Sequence, residues 1–336
     1  MNGLLRITPK GIYCARGDFY IDPWAPVDKA VITHAHSDHA RWGSSYYLAH
    51  HHAAPILKLR LGTFINLETI PYNESVFING VKITLFPAGH ILGSAQVRVE
   101  HGGEVWVASG DYKTEDDGVC APFEPVRCHH FITESTFGLP CYRWEPQQKI
   151  FDRIHQWWHH NRSSQKISVL FGYSLGKAQR IIENLDSSIG SIFTHTAIHN
   201  TQKAFRDYGV DVRIYPQWTP DISKGNLAGS LILAPPSAFD SPWMKRFTPY
   251  ATGVCSGWMQ LRGLQRRRNA DAGFALSDHA DWPGLLDAIK STGAQKVYVT
   301  HGYQSIFARY LQESGIDAEE ISTAFGEEET TEEATA

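Results

Sequence analysis

The sequence has no apolar run long enough to cross a membrane. Its apolar stretches are far shorter than the roughly 20 residues that a transmembrane helix needs. The segment Met1–Lys10 also lacks the apolar core of a secretory signal peptide. These two absences argue against a membrane-embedded and a secreted protein, so the sequence predicts a cytoplasmic one with no membrane partner.

Cysteine is also scarce, and the five that are present form no C-x-x-C pair. An odd number of widely spaced cysteines argues against a disulfide framework and against a thiolate zinc site. We expect each of them to be a small, buried apolar side chain. The five are Cys14, Cys120, Cys128, Cys141 and Cys255.

Most of the chain has no excess of positive or negative charge. The formal net charge is −4, and five of the acidic residues are glutamates in the tail Gly326–Ala336. That tail has almost no apolar content, which predicts disorder. The rest of the chain is near neutral. The length of 336 residues favours two domains or one large one, with ample material for a core.

Three histidines and an aspartate lie close together in the stretch Thr33–His39, which follows an apolar pair. Because side chains alternate along an extended chain, His34 and His36 point the same way. Asp38 and His39 can turn back from the start of a following helix. Imidazole and carboxylate suit zinc or a similar first-row ion, and two such pairs suit two ions about 3.5–4 Å apart. A polar surface loop is the alternative.

Later strands also end on residues that can serve a metal site. His90 follows the predicted strand Val81–Phe86 and supplies a third imidazole. Asp111 follows a predicted hairpin and is placed to bridge two ions, and Glu134 ends another predicted strand. Strand after strand ending on such a residue is typical of a site at one rim of a sheet.

A further carboxylate, Asp22, closes a strand shortly before the histidine loop. It could orient the loop by hydrogen bonds from behind the metal ligands, or it could cap the turn before Pro23. Spacing alone leaves both interpretations open.

His195 and His199 form a different pair, four residues apart near a predicted strand–helix junction. No acidic residue or third imidazole accompanies them. We therefore exclude them from the site and expect packing or surface roles.

The order of the motifs resembles a known superfamily. The loop H-A-H-S-D-H, followed by His90 and then by Asp111, is similar to the metal-binding motifs of the metallo-β-lactamase superfamily. The resemblance implies an α/β fold, a four-layered αββα sandwich that holds its metal ions at the rim of the sheets.

Two further segments resemble the β-CASP branch of that superfamily, whose members are nucleases acting on DNA or RNA. They are T-E-S-T-F-G at 133–138 and F-x-x-x-x-G-K-x-Q at 171–179. The branch inserts a second α/β domain into the first. The implied organisation is a metallo-β-lactamase domain at 1–141 and 272–325, a β-CASP domain at 142–271 and a disordered acidic tail at 326–336.

The resemblance also implies roles for two histidines near the end of the chain. His279 takes the position of a histidine near the scissile phosphate, and His301 that of a metal ligand in the RNA-cleaving members. We expect three imidazoles to hold one ion and a carboxylate with two imidazoles to hold the other, while Asp111 bridges them. The first set is His34, His36 and His90, and the second is Asp38, His39 and His301.

The expected cofactors are two divalent ions, zinc first and manganese as the alternative. They would lower the pKa of water toward about 7 and supply a hydroxide for phosphodiester hydrolysis. We expect Glu134 to orient His279, which would contact the phosphate or protonate the leaving oxygen. With Asp38, these two are the expected catalytic residues. Support of a metal ligand is the alternative role for Glu134.

One loop is a candidate for binding phosphate. Ser174, Gly176 and Lys177 lie where a predicted strand leads into a helix, and a helix N-terminus favours phosphate. An ordinary strand–helix connection is the alternative, since the loop is not a Walker A sequence.

A second candidate for nucleic-acid binding is the stretch Pro242–Arg268, which has no acidic residue. Basic groups follow a phosphate backbone and aromatic rings stack on unpaired bases, so it could form one wall of a groove. A solvated basic face is the alternative. The basic residues are Lys245, Arg246, Arg262, Arg266, Arg267 and Arg268, and the aromatic ones are Trp243, Phe247, Tyr250 and Trp258.

The motifs S-G-W-M at 256–259 and L-S-D-H-A-D-W-P-G at 276–284 resemble the bacterial ligase-associated DNA exonucleases. This resemblance implies a metal-dependent DNA exonuclease that acts on single strands or ends in DNA repair, beside a DNA ligase and a helicase. His301 favours the alternative, an RNA-processing β-CASP ribonuclease of the kind that forms mRNA 3′ ends. A small-ester metallohydrolase is the second alternative and would not need the inserted domain.

Overall fold

The computed structural model describes residues 3–261 and 270–323. Within them the chain forms two compact units. Unit 1 is made of residues 3–143 and 279–323, and unit 2 of residues 144–261 and 270–278. None of the described helices is long and apolar enough to span a membrane. The predicted nucleic-acid contacts Arg262, Arg266, Arg267 and Arg268 and the predicted disordered tail at 326–336 lie outside the described residues.

Unit 1 begins with a six-stranded sheet. Its first three strands pair antiparallel through tight turns, and β3 to β6 pair parallel. The strands, in their order across the sheet, are β1 (Leu5–Thr8), β2 (Gly11–Cys14), β3 (Phe19–Ile21), β4 (Lys29–Val31), β5 (Tyr46–His50) and β6 (Leu67–Ile70). The parallel pairing brings the chain after β4 and the chain after β5 to the same edge.

A seven-stranded sheet forms the rest of the strand structure of unit 1. Strands β7 to β10 pair antiparallel as consecutive hairpins, whereas β10, β11, β17 and β18 pair parallel. The order across the sheet is β18 (Ala318–Glu320), β17 (Lys296–Gly302), β11 (His130–Ser135), β10 (Glu104–Ala108), β9 (Ala95–His101), β8 (Val81–Pro87) and β7 (Ser75–Ile78).

Two apolar cores stabilise unit 1. The first joins side chains from both sheets, such as Leu48 of β5 and Val97 of β9. The second joins the seven-stranded sheet to two helices, with Leu285 and Phe307 among its members. The helices of this unit are α1 (Ala54–Leu61), α6 (Trp282–Thr292) and α7 (Gln304–Glu313).

Local signals set the bounds of α6. The helix begins after Asp281, whose side chain accepts the amide hydrogen of Gly284, and it has proline in its first turn. It ends at Gly293, whose φ of 62° is the left-handed conformation that glycine adopts readily at the end of a helix.

Unit 2 is built on a five-stranded sheet in which every pairing is parallel. The order across it is β13 (Ile192–Thr194), β14 (Leu231–Ala234), β12 (Ile167–Phe171), β15 (Tyr250–Cys255) and β16 (Ala272–Phe274). Its described helices are α2 (Gln147–Ser163), α3 (Lys177–Asn184), α4 (Thr196–Asp207) and α5 (Lys224–Leu227). Two separate apolar clusters form its core, as expected for a parallel sheet that is covered on both faces.

One expectation about the cysteines is wrong. Cys14 and Cys255 are buried, and Cys120 and Cys128 are partly buried. Cys141 is exposed and lies in the irregular segment between β11 and α2.

Candidate metal centre

The histidine loop leaves the six-stranded sheet directly after β4. Ile32 continues the strand pairing by donating its amide hydrogen to the carbonyl of Leu48 at 2.8 Å. A single helical turn follows, in which the amide of Ala40 donates to the carbonyl of His36 at 2.9 Å. The apolar run before the loop is therefore fixed in the core, and the loop starts from a rigid edge.

Asp22 holds this loop through three contacts. Its Oδ1 accepts the amide hydrogen of Thr33 at 2.7 Å, and its Oδ2 accepts the Thr33 hydroxyl at 2.5 Å. The same Oδ2 lies 2.7 Å from Nδ1 of His39. A carboxylate on Nδ1 fixes the ring so that Nε2 is presented to the site. Of the two interpretations of Asp22, these contacts favour the orienting one.

Asp111 lies at the centre of the candidate site, with a different pair of imidazoles facing each of its carboxylate oxygens. Oδ2 lies 3.6 Å from Nε2 of His34 and 3.8 Å from Nε2 of His90. Oδ1 lies 3.6 Å from Nε2 of His39 and 2.9 Å from Nε2 of His301. One carboxylate thus joins two groups of ligands.

The remaining two predicted ligands complete these groups. Nδ1 of His36 lies 3.1 Å from Nε2 of His90, and Oδ2 of Asp38 lies 3.5 Å from Nε2 of His39. Donor atoms within 4.8 Å of one another group His34, His36, His90 and Asp111 in one set and His39, Asp111 and His301 in another. The structure therefore brings all seven predicted ligands together.

The donor set fits divalent metal ions. Donors bound tetrahedrally at about 2.0–2.1 Å from zinc lie roughly 3.4 Å from each other, and four donor pairs of the site lie 3.5 to 3.8 Å apart. Nε2 of His34 is buried and has no hydrogen-bond partner among the described residues. A buried polar atom without a partner is costly, and a bound cation would satisfy it.

Burial and mutual contact shift the pKa values of these groups. Burial holds the pKa of His34 well below its usual value, so this imidazole stays neutral and can donate its lone pair to a cation. Burial alone would raise the pKa of Asp111, but the neighbouring His301 and His39 hold it well below its usual range. The carboxylate therefore stays charged inside the protein.

Two glycines allow the ligand loops to approach their neighbours closely. Gly89, which precedes His90, has a φ of 74°, and a Cβ there would lie 2.3 Å from the carbonyl oxygen of Lys113. Gly302, which follows His301, has a φ of 84°, and a Cβ would lie 2.3 Å from the carbonyl oxygen of Ser135. Only glycine meets both conditions, so the backbone on each side of the site depends on it.

Glu134 and His279 form a buried carboxylate–imidazole pair beside Asp111. Nδ1 of His279 lies 3.0 and 2.9 Å from the two carboxylate oxygens of Glu134. Glu134 also accepts the amide hydrogen of Tyr112 at 2.8 Å, which ties it to the Asp111 loop. Ligand-type atoms of Asp111, Glu134 and His279 all lie within 4.8 Å of one another. The predicted pair is thus next to the candidate metal centre.

Sequence reasoning missed two residues that hold the ligand loops. The Ser94 hydroxyl oxygen accepts the amide hydrogens of His90 and Ile91 at 3.1 and 3.2 Å. The Arg60 guanidinium donates from Nη1 to the carbonyl of Ala35 inside the histidine loop. Both act on backbone atoms from separate segments, and no spacing pattern in the sequence signals them.

The predicted phosphate loop has internal partners in this structure. The Gly176 amide donates to Oε1 of Gln179 at 2.6 Å. Lys177 is 1% exposed, and its Nζ lies 3.4 Å from Oδ2 of Asp278. Gly176 and Lys177 thus have partners within the protein, and their phosphate-binding role stays a prediction. Ser174 is partly buried at the same loop, and its role stays a prediction.

The described part of the predicted nucleic-acid wall is more buried than expected. Lys245 and Arg246 are exposed, and the Arg246 guanidinium lies 5.6 Å from the centre of the Trp218 ring. Phe247 is fully buried in the core of unit 2. Trp243, Tyr250 and Trp258 are partly buried against the same core. Packing, rather than base stacking, explains this aromatic interleaving.

The two excluded histidines have local structural roles. Nδ1 of His195 accepts the amide hydrogen of Ala197 and so caps α4. Nδ1 of His199 lies 3.3 Å from the carbonyl of Tyr215. Neither histidine is in a described group of metal-ligand type.

Comparison with known proteins identifies one relative that matches most of the chain and others that match about a third of it. A probable DNA ligase from Opitutus terrae is 30% identical over 311 residues, which are 92% of this chain and 30% of that protein. The endoribonuclease YSH1 of Saccharomyces cerevisiae is 34% identical over 126 residues, 37% of this chain and 16% of its own. Cleavage and polyadenylation specificity factor subunit 3 of Dictyostelium discoideum is 31% identical over 124 residues, 36% of this chain and 16% of its own.

A solved structure shares the fold. A protein of unknown function from Enterococcus faecalis V583 has a TM-score of 0.60 and 13% identity, over 89% of this chain and 80% of that chain. No protein-family model matches the chain. The chain spans less than a third of the length of each of the curated relatives named above. Taken with the motifs, these relatives confirm that the chain resembles the β-CASP nucleases of the metallo-β-lactamase superfamily.

Proposed function

We propose that the protein is a metal-dependent nuclease that hydrolyses phosphodiester bonds, and specifically a DNA exonuclease of DNA repair. The observation that carries the proposal is the arrangement around Asp111. Its two oxygens face separate imidazole pairs, and a carboxylate–imidazole pair lies next to it. Two ions and one adjacent imidazole are components that can carry out in-line hydrolysis of a phosphodiester.

The protein's own residues position the reaction. When bound, two divalent ions, zinc or manganese, supply an activated nucleophile from water and stabilise charge on the phosphate. Asp111 fixes the separation of the two ligand groups, and Asp22 fixes the ring of His39. Glu134 contacts Nδ1 of His279 and orients this ring, and we expect His279 to contact a phosphate oxygen or to protonate the leaving oxygen.

The domain organisation follows the same resemblance. We assign unit 1 to the metallo-β-lactamase domain with an αββα arrangement, and unit 2 to the inserted β-CASP domain. Support comes from the two sheets of unit 1 that share one core and from the helices on the far face of the seven-stranded sheet. The all-parallel sheet of unit 2 supports an independent α/β domain.

The relatives support two different substrates, DNA and RNA. The relative that matches 92% of the chain is a probable DNA ligase, which supports DNA as the substrate and a ligase as a partner. The relatives named for RNA cleavage or polyadenylation match about a third of the chain. The RNA-cleaving members that this chain resembles have a histidine ligand at the position of His301, which favours the second candidate, an RNA-processing ribonuclease. We rank DNA first because its support extends over both units.

Cleavage of end-labelled single strands tests the proposal. DNA and RNA of one sequence, with and without a 5′ phosphate, would be incubated with zinc or manganese and the wild-type protein, Asp111→Asn or Asp207→Asn. Asp207 is an exposed aspartate on α4 and is the matched control. We expect progressive shortening of DNA by the wild type and by Asp207→Asn, and none by Asp111→Asn.

Two outcomes would overturn the proposal in different ways. Internal cuts in RNA with DNA left intact would establish the ribonuclease candidate. Cleavage of neither nucleic acid, together with hydrolysis of a small ester, would move the protein to the small-ester metallohydrolases.

A further inference from the structure

Thr33, the residue before His34, is buried among the segments that carry the predicted ligands. It is 1% exposed. Its carbonyl accepts the amide hydrogen of Ala95, at the start of β9, at 2.7 Å. Its side chain packs closely on Gly110, since a Cβ there would lie 2.6 Å from Oγ1 of Thr33. Together with the amide hydrogen bond to Asp22, these contacts fix the position of the Thr33 hydroxyl.

The Thr33 hydroxyl has two partners, and its single hydrogen decides their roles. Oγ1 donates to Oδ2 of Asp22 at 2.5 Å and lies 3.0 Å from Nδ1 of His34. A hydroxyl has one hydrogen to donate, and an ionised carboxylate can only accept. The hydrogen is therefore used at Asp22, so the hydroxyl oxygen accepts a hydrogen from Nδ1 of His34. This bond holds His34 in the tautomer that leaves a lone pair on Nε2.

Nε2 of His34 is the atom that faces the candidate metal centre. It lies 3.6 Å from Oδ2 of Asp111. It is buried and has no hydrogen-bond partner among the described residues. In the opposite tautomer this nitrogen would carry a hydrogen and could not bind a cation. The Thr33 hydroxyl thus selects the form of His34 that can bind a metal ion.

The same carboxylate oxygen reaches both groups of ligands. Oδ2 of Asp22 contacts Nδ1 of His39 at 2.7 Å, and through the Thr33 hydroxyl it is connected to His34. These two imidazoles belong to different groups. The first ligand group is His34, His36, His90 and Asp111, and the second is His39, Asp111 and His301. The two groups therefore share support from Asp22 in addition to sharing Asp111.

We propose that Thr33 is a positioning residue of the metal centre. Its hydroxyl connects Asp22 to His34, so one carboxylate orients an imidazole in each ligand group. This role rests on the proposed function, which requires metal ions at both groups, and it deepens that function by naming what orients the first group. Removing such a partner from behind a metal ligand typically lowers metal affinity about 10–100-fold.

Zinc titration in competition with a fluorescent chelator tests this role. Thr33→Val removes the hydroxyl and keeps the backbone hydrogen bonds, whereas Thr33→Ser keeps the hydroxyl. Asp22→Asn alters the residue that supports both groups. Thr252→Val is the matched control, because the Thr252 amide and hydroxyl donate to Oδ2 of Asp271 at 2.7 and 2.9 Å. Neither Thr252 nor Asp271 belongs to a group of metal-ligand type among the described residues.

We expect Thr33→Val to bind one of the two zinc ions about 10–100-fold more weakly and to keep its affinity for the other. Asp22→Asn should weaken both ions. Thr33→Ser and Thr252→Val should bind both ions as the wild type does. The thermal midpoints of the two valine variants should fall similarly, because each loses a buried hydrogen bond to a carboxylate.

Imidazole nitrogen NMR of the zinc-free wild type tests the same role without a variant at Thr33. The His34 signal, assigned by its absence in His34→Gln, should show hydrogen on Nδ1. Hydrogen on Nε2 would overturn the inference, as would unchanged zinc affinity in Thr33→Val or equal loss of both ions. An equal loss of zinc affinity in Thr252→Val would also contradict it. Absence of zinc binding by the wild type would overturn the proposed function as well.

Discussion

At the residue scale, two carboxylate–imidazole pairs shape the candidate site. Asp22 contacts Nδ1 of His39, and Glu134 contacts Nδ1 of His279. In both pairs the carboxylate is almost fully buried, so its contact with the ring is strong and directional. The sequence identified all four residues, but the partners are 17 and 145 positions apart. Their exact contacts depend on the fold.

Replacing Glu134 by glutamine tests the second pair. The variant keeps the size of the side chain but loses the charge that orients His279, so we expect kcat to fall about 10–100-fold with little change in KM. Steady-state kinetics on a labelled single strand measure both constants. Glu145→Gln, at an exposed glutamate paired with Arg153, is the control. An unchanged kcat would show that Glu134 does not act through His279.

His50 is not one of the predicted metal ligands, and we expect its shifted pKa to make the stability of the protein depend on pH. Burial and the neighbouring His51 and His52 lower its pKa to about 3. The folded protein therefore binds fewer protons than the unfolded chain between about pH 6.5 and 3, so stability falls as the pH falls through this window. We expect His50→Asn to flatten this dependence by up to about 1.4 kcal/mol per pH unit.

Chemical unfolding at a series of pH values measures this effect. Asparagine can still accept the amide hydrogen of His52 that the His50 ring accepts at 3.3 Å. His160→Asn, at an exposed position on α2, serves as the control. If the free energy of unfolding changed equally with pH in His50→Asn and in the wild type, His50 would not be the source of this pH dependence.

At the element scale, the ligands lie where strands end, which is why a pattern of strands followed by polar residues could predict them. Asp111 follows β10, His301 lies near the end of β17, and His90 follows β8. The sequence could not predict which residues the loops contact, since these contacts depend on the register of several strands at once.

Gly89 tests how tightly one ligand loop is packed. Alanine there would meet the carbonyl of Lys113 at 2.3 Å, so we expect a loss of stability of about 1–3 kcal/mol and weaker metal retention at His90. Gly102→Ala is the matched control, because it has a φ of 60° in the β9–β10 turn and no atom within 4 Å of the added Cβ. Thermal unfolding with and without metal compares them. Equal losses for the two variants would show that the close contact is unimportant.

Replacing Lys177 by methionine distinguishes a structural role of this residue from a phosphate-binding one. It is buried against Asp278, which Arg180 also approaches to 3.4 Å. Removing one partner of a buried ion pair costs about 3–5 kcal/mol, so Lys177→Met should destabilise the protein without changing any preference for 5′-phosphorylated ends. Lys203→Met, which breaks an exposed pair with Asp207, should cost little. A stable variant with a lost end preference would restore the phosphate role.

At the scale of the whole molecule, the sequence allowed the resemblance to be predicted, and the relatives confirm it. Short motifs carry that information because each lies within one loop. Burial was harder to predict. The aromatic residue Phe247 lies in a basic stretch and yet packs in a core, whereas Trp42 faces solvent. Which face of an irregular segment turns inward is decided by distant parts of the chain.

Metal content tests the central claim most directly. The purified wild type and the Asp111→Asn and Asp207→Asn variants would be loaded with zinc, freed of unbound ions and analysed by mass spectrometry of the metal. Because Asp111 faces both imidazole pairs, we expect about two ions per chain in the wild type and in Asp207→Asn. Asp111→Asn should lose affinity at both positions. Retention of two ions by Asp111→Asn, or no bound ion in the wild type, would contradict the two-ion centre.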